Sequence, residues 1–168
     1  MAKSEDEHLQ YLRLALEEAK QCIPTPTAFC VGCVLVARLG AEPAVIATGY
    51  SRELPGNTHA EANALSKFRS LPEDELSKFA PMPSSHAAIL VSADVYTTME
   101  PCSVRTSGLP PCADALIDAK VQRCFIGVGE PDDFVNCEGA QKLMDAGIEV
   151  VWLKGLEEES LSVARRGH

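Results

Sequence analysis

His59 in His59-Ala60-Glu61, Cys102 after Pro101 and Cys112 after Pro110-Pro111 are the residues of this chain whose types and spacing fit metal chemistry. Catalytic zinc takes three protein ligands and keeps a fourth position for water, and one histidine with two cysteines is such a set. Glu61, two residues beyond the histidine, is then the carboxylate that moves protons to and from that water. The spacing also constrains where the metal sits. Residues two apart do not face each other along a helix, so His59 and Glu61 share one zinc only if it lies off a helix N-terminus. Free N–H groups there favour developing negative charge.

Each assignment has a competitor. Thr58 and Glu61 make a Thr-x-x-Glu capping box, which gives Glu61 a purely structural use at a helix start. Cys30-Val31-Gly32-Cys33 has the form of half a zinc knuckle, but no second pair stands at matching spacing, and free cysteine is commonly a small core hydrophobe. Cys22, Cys124 and Cys137 are expected to pack, and His8, His86 and His168 have no neighbours in sequence that would make them ligands. Arg105 lies between the two zinc cysteines with Ser103, Thr106, Ser107 and Gly108. An arginine there can hold a phosphate through two parallel hydrogen bonds, or pair with Glu100 or Asp114 and hold the loop.

The elements that must position these groups are legible from periodicity. Leu9, Leu12, Leu16 and Ala19 recur at helical spacing over Glu5–Cys22, ended by Pro24 and Pro26. Phe29–Ala37 and Ala44–Tyr50 read as an antiparallel hairpin buried on both faces. A helix is expected from His59 to Ser70, and a proline-rich excursion with a short helix near Glu73–Phe79 follows. Ala88–Met99 reads as a strand delivering Glu100-Pro101-Cys102, with Val91, Val95 and Tyr96 as core or pocket positions. Cys112–Lys120 reads as a helix begun by Pro110-Pro111, whose N-terminus would stabilise the Cys112 thiolate. Strand Val121–Val128, helix Cys137–Ala146, strand Ile148–Leu153 and helix Leu156–Arg166 complete the chain. This alternation implies parallel strands with right-handed crossovers, joined to the hairpin in one mixed sheet.

A length of 168 residues with 46% hydrophobic content fits one domain, residues 1–168, around one core. A net charge of -9, without a cluster of Lys and Arg, points away from nucleic acid. No apolar run approaches the ~20 residues of a membrane span, and Met1–Gln10 is polar, so a cytoplasmic protein with no membrane partner is expected. Seven cysteines, an odd number in a chain too long to need disulfide staples, fit reduced thiols and a metal site.

His-x-Glu followed by Pro-Cys-x-x-Cys is the signature of zinc deaminases acting on nucleobases. Here nine residues rather than two separate the cysteines. With Thr27-Ala28-Phe29-Cys30-Val31-Gly32, Thr98-Met99-Glu100-Pro101-Cys102-Ser103, Pro111-Cys112, Gly129-Glu130-Pro131-Asp132 and Asp145-Ala146-Gly147-Ile148, the chain resembles the cytidine deaminase superfamily over Phe29–Trp152. Within that superfamily it is most similar to the fungal-type deaminases of riboflavin biosynthesis, which remove the 2-amino group of 2,5-diamino-6-ribitylamino-4(3H)-pyrimidinone 5'-phosphate. The resemblance implies a three-layer α/β/α sandwich with a five-stranded mixed sheet, one zinc ion, a small-molecule substrate and a homodimer. It suggests Phe29, Asn57, Ala60, Ser103, Arg105, Ser107 and Asp132 as substrate contacts. The chain departs from the bacterial riboflavin deaminases at two places, Ser103-Val104 in place of Ser-His and Ala28-Phe29 in place of Asn-Pro, so any contact made by those two family residues is not transferred. No reductase domain and no nicotinamide cofactor are expected. A nucleoside, nucleotide or free-base deaminase and a non-catalytic zinc module are the competing readings.

Overall fold

The computed structural model describes residues 2–131 and 137–168, so Asp132 lies outside the described residues. Five strands form one sheet in the order β2-β1-β3-β4-β5, with β1 at Gly32–Ala37, β2 at Ala44–Tyr50, β3 at Asp94–Met99, β4 at Arg123–Val128 and β5 at Glu149–Trp152. β1 runs antiparallel to β2 and β3, while β3, β4 and β5 are parallel, as the alternating second half of the sequence requires. The sheet is therefore the five-stranded mixed one that was expected.

Side chains alternate across the sheet and feed two cores. Cys33, Leu35, Val95, Cys124 and Ile126 face a layer made by α2 (Ala60–Arg69), α3 (His86–Val91), α4 (Cys112–Ala119) and α5 (Gly139–Asp145). Val34, Val36, Tyr96 and Phe125 face Leu12, Ala15 and Leu16 of α1 (Ala2–Lys20), with Val163 of α6 (Glu157–Ala164) packed against the same cluster. Two glycines set how closely the layers approach. A Cβ on Gly32 would lie 1.8 Å from the Ala15 carbonyl oxygen, and one on Gly49 would lie 2.2 Å from that of Ala60, so neither position accepts a side chain. The second contact seats the first turn of α2 against β2.

The sequence reading differs from the structure in two places. The apolar run Ala88–Met99 is two elements: Ser85 Oγ accepts the Ala88 N–H at 3.1 Å and starts α3, and the strand begins only at Asp94. Val91 is accordingly 52% exposed and not a core position, whereas Val95 and Tyr96 are buried. β2 is an edge strand, so its residues are mostly half-buried rather than enclosed on both faces. The excursion carries the short helix expected there, as a 3-10 helix at Glu73–Lys78. Among the described residues, no helix is long and apolar enough to cross a membrane.

Candidate active site

The site lies where the chain leaves the C-terminal ends of the parallel strands, the usual place for ligands in an open α/β sheet. β3 ends at Met99 and delivers Glu100-Pro101-Cys102, while Met99 pairs with Val128 of β4, so Gly129-Glu130 emerges beside it. Since β1 is antiparallel, Phe29–Val31 arrive at the same edge, as do Ser51 and Arg52 after β2. His59 is the N-cap of α2, with extended backbone (φ -99°, ψ 157°), and Cys112 is the first residue of α4.

These elements bring three donors together. His59 Nδ1 is 3.4 Å from both Cys102 Sγ and Cys112 Sγ, and all three donor atoms lie within 4.8 Å of one another. A tetrahedral ion with ordinary zinc–sulfur and zinc–nitrogen bonds separates such nitrogen and sulfur ligands by ~3.5 Å, so the donor set fits zinc. The α4 N-terminus acts on the other cysteine from the one expected. Its first N–H, that of Cys112, donates to Cys102 Sγ at 3.2 Å, and the Ala113 N–H donates to the Cys102 carbonyl at 3.1 Å. The Cys102 thiol is pulled down to about 4 by the Cys112 thiol beside it, against burial and with help from His59. Cys112 is pushed well up by the Cys102 thiolate, by burial and by Glu61. Cys30 and Cys33 are wholly buried and outside this cluster.

Glu61 is 3% exposed and points at the donor set. The capping box does not form: Thr58 Oγ1 donates to the Leu54 carbonyl at 2.8 Å, and α2 has no side-chain cap. Glu61 Oε1 is instead 3.0 Å from Thr97 Oγ1, which also lies 2.9 Å from the Met99 carbonyl. One hydroxyl hydrogen cannot serve both. Ionised Glu61 accepts it; protonated Glu61 donates into Thr97 Oγ1, whose hydrogen turns to Met99. Both states of the carboxyl are therefore satisfied in a buried place. Burial first, then the charge of Cys102, raises Glu61 above the ordinary carboxylate range, in the direction that suits a proton carrier.

Of the substrate contacts proposed from sequence, Phe29, Asn57, Ala60, Arg105 and Ser107 line the cleft that opens on His59, Glu61 and Cys102. Ser103 does not, because its Oγ accepts the Glu138 N–H at 3.0 Å and closes the far side of the loop. Arg105 pairs with neither Glu100 nor Asp114; it donates to the Asn57 carbonyl at 2.6 Å and ties the cysteine loop to the turn before α2. Arg52 and Glu130 also line the cleft and were missed. Arg52 sits in left-handed backbone (φ 62°), and its guanidinium bonds the carbonyls of Ile23 (3.1 Å) and Phe29 (3.4 Å), fixing the Phe29 wall. Nothing in local sequence marks a non-glycine residue for that conformation.

The family model described as the cytidine and deoxycytidylate deaminase zinc-binding region matches residues 5–128. The chain belongs to that family. Among relatives of this deaminase-family chain, the diaminohydroxyphosphoribosylamino-pyrimidine deaminase of Schizosaccharomyces pombe is 42% identical over 96% of the chain and 36% of its own length. The riboflavin biosynthesis protein RibD of Actinobacillus pleuropneumoniae is 35% identical over 90% of the chain and 34% of its own length. The chain thus spans about a third of the curated relatives it matches. In structure it is similar to the Rib2 deaminase of Aspergillus oryzae in complex with DARIPP, with a TM-score of 0.77 and 39% identity over 96% of this chain and 91% of that one. The cytidine deaminase-like fold and the zinc-binding character of the region follow from these matches.

Proposed function

We propose that the chain hydrolytically deaminates 2,5-diamino-6-ribitylamino-4(3H)-pyrimidinone 5'-phosphate to the 5-amino-6-ribitylamino-uracil phosphate, with His59, Cys102 and Cys112 as zinc ligands and Glu61 as the proton carrier. The observation that carries this reading is the buried Glu61 carboxylate beside a three-donor set. A structural zinc site uses four protein ligands and has no need of a base. The substrate class is supported by the names of the Schizosaccharomyces pombe and Aspergillus oryzae relatives.

Zinc, when bound, supplies Lewis acidity that brings the pKa of a water toward ~7. The chain's own residues do the rest. His59, Cys102 and Cys112 leave one side open toward the cleft, where Phe29 and Val31 form an apolar wall for a ring. Glu61 takes a proton from the attacking water and passes it to the ring nitrogen next to the amino-bearing carbon. As the carbon–nitrogen bond breaks, Glu61 carries the second proton from the oxygen to the departing amine, so that ammonia leaves and a carbonyl remains. Thr97 holds the carboxyl in place in both protonation states. Arg105, Thr106 and Ser107 at the mouth are the cationic and hydroxyl donors for the phosphate.

Zinc content together with ammonia release from a panel of pyrimidines tests this reading. One zinc per chain with release from the ribityl phosphate is the expected result. Release only from cytidine, its nucleotides or a free base would assign a different substrate to the same centre, and zinc without any release would leave a binding module. A single deaminase domain over residues 1–168, a homodimer and a cytoplasmic location complete the proposal, and sedimentation of the purified chain tests the dimer.

A further inference from the structure

His168 is far along the chain from the residues that form the cleft, yet it touches two of them. Its Nε2 lies 3.0 Å from the Ala28 carbonyl oxygen, and its ring stacks on that of Phe29, with centroids 5.3 Å apart and planes inclined by 21°. A carbonyl only accepts, so Nε2 carries the hydrogen of this bond. The ring separation and tilt are those of a favourable aromatic pair. Ala28 and Phe29 both line the cleft that opens on His59, Glu61 and Cys102.

The chain around His168 delivers it to this place. α6 ends at Ala164, whose carbonyl accepts the Cys30 N–H at 2.9 Å and whose side chain packs in one cluster with Phe29 and Met99. Past the helix, Arg166 Nη1 donates to the Lys20 carbonyl at 2.8 Å. Gly167, in left-handed backbone (φ 90°), then turns the chain against Pro24-Thr25, where a Cβ would fall 2.8 Å from the Thr25 nitrogen. Arg52 holds the same stretch by a second route, through the Ile23 and Phe29 carbonyls. The groups of the metal site are held by other elements: Glu61 by Thr97 of β3, and Cys102 by the first N–H of α4.

We infer that His168 is a positioning residue, which fixes the Ala28-Phe29 wall of the cleft and thereby sets how tightly substrate is held. The inference rests on the deaminase reading above and adds to it a residue outside the cleft that acts through two residues of its wall. A wall contact holds substrate and transition state alike, so its loss raises KM and leaves kcat nearly as it was. The zinc donors and Glu61 keep their own supports and are not disturbed.

Two measurements on His168→Ala and His168→Phe test this. In His168→Ala the KM for the diamino ribityl phosphate should rise about two- to tenfold, the range for one aromatic pair, with kcat, zinc content and thermal midpoint little changed. His168→Phe keeps the stacked ring and should recover most of the loss. Amide hydrogen exchange reads the wall without any substrate: the Cys30 and Val31 N–H groups, bonded to the Ala164 carbonyl and to Ser51 Oγ, should exchange faster in His168→Ala by a similar factor. Wild-type KM or wild-type exchange in His168→Ala, or a phenylalanine variant as impaired as the alanine one, would overturn the assignment. A wild-type enzyme that deaminates no pyrimidine would instead bring down the deaminase reading, and the exchange rates alone would then decide whether His168 holds the wall.

Discussion

Thr97 Oγ1 lies 3.0 Å from Glu61 Oε1, and through that contact the middle of the sheet sets the orientation of the Glu61 carboxylate beside the His59, Cys102 and Cys112 donors. Replacing Thr97 by valine keeps the shape and removes the hydrogen bond. Thr97→Val should lower kcat by about ten- to hundredfold, the range for a hydrogen bond to a charged group, with zinc retained. Thr97→Ser should restore most of it. Steady-state kinetics on the three proteins decides, and a valine variant as active as the wild type would remove Thr97 from the mechanism.

Glu61→Ala should keep zinc and fold while losing deamination by ~10²–10⁴, the usual contribution of a positioned acid/base. Because no capping box forms, its thermal stability should not fall. A variant that is less stable and still active would mean that Glu61 serves the helix rather than the chemistry.

Metal analysis of cysteine variants tests the ligand set. Cys102→Ala and Cys112→Ala should lose zinc, and Cys30→Ala and Cys33→Ala, which alter wholly buried residues outside the cluster, should retain it. Zinc lost from either of the latter and kept by Cys112→Ala would reverse the assignment.

Arg105→Ala should raise KM for the phosphorylated substrate much more than for its dephosphorylated form if the guanidinium reads the phosphate. Its bond to the Asn57 carbonyl supplies the other outcome: equal effects on both would make Arg105 a tie between two loops.

A cluster remote from the cleft, around His8 and Tyr96, predicts a pH dependence of stability. The Tyr96 hydroxyl accepts from Arg38 at 3.0 Å and shares a hydrogen bond with His8 Nδ1 at 2.7 Å, and the His8 ring stacks on Phe125. Burial first, then the charges of Arg38 and Arg123, lowers His8 from its ordinary 6.5, with Asp94 and Glu7 opposing. A histidine with a depressed folded pKa stabilises the fold above its unfolded pKa, and the contribution is lost as pH falls through the folded value. Thermal midpoints measured from about pH 7 to about 5 should therefore fall more steeply for the wild type than for His8→Phe. Parallel profiles would show that His8 does not titrate with folding.

The clustering of His59, Cys102 and Cys112 was legible because metal chemistry admits few residue types and places them at element ends. The sheet was legible because valine-rich runs alternated with helical ones. Boundaries inside an apolar run were not, since Ala88–Met99 gives no break in hydrophobicity and the helix depends on one serine hydroxyl at Ser85. Glu130 and Ser103 exchanged expectations for a related reason. Whether a polar side chain faces a cleft or a neighbouring backbone N–H depends on the β3–β4 register and on the packing of α5, which no local pattern encodes.

The stem of the long cysteine loop is closed upon itself: Cys112 N–H on Cys102 Sγ and Ala113 N–H on the Cys102 carbonyl fasten its two ends before a metal adds its own bonds. Between them, from Ser103 to Pro111, the loop is held by Ser103 on the Glu138 N–H and by Arg105 on the Asn57 carbonyl. Residues at the tip can be exchanged, or the loop lengthened, at little cost to the metal centre, because loop length enters closure entropy only logarithmically. The donor cluster and the loop at the mouth of the cleft thus sit on separately adjustable parts, and redesign of the loop can begin at Val104 and Thr106–Leu109, leaving the Arg105 tie in place.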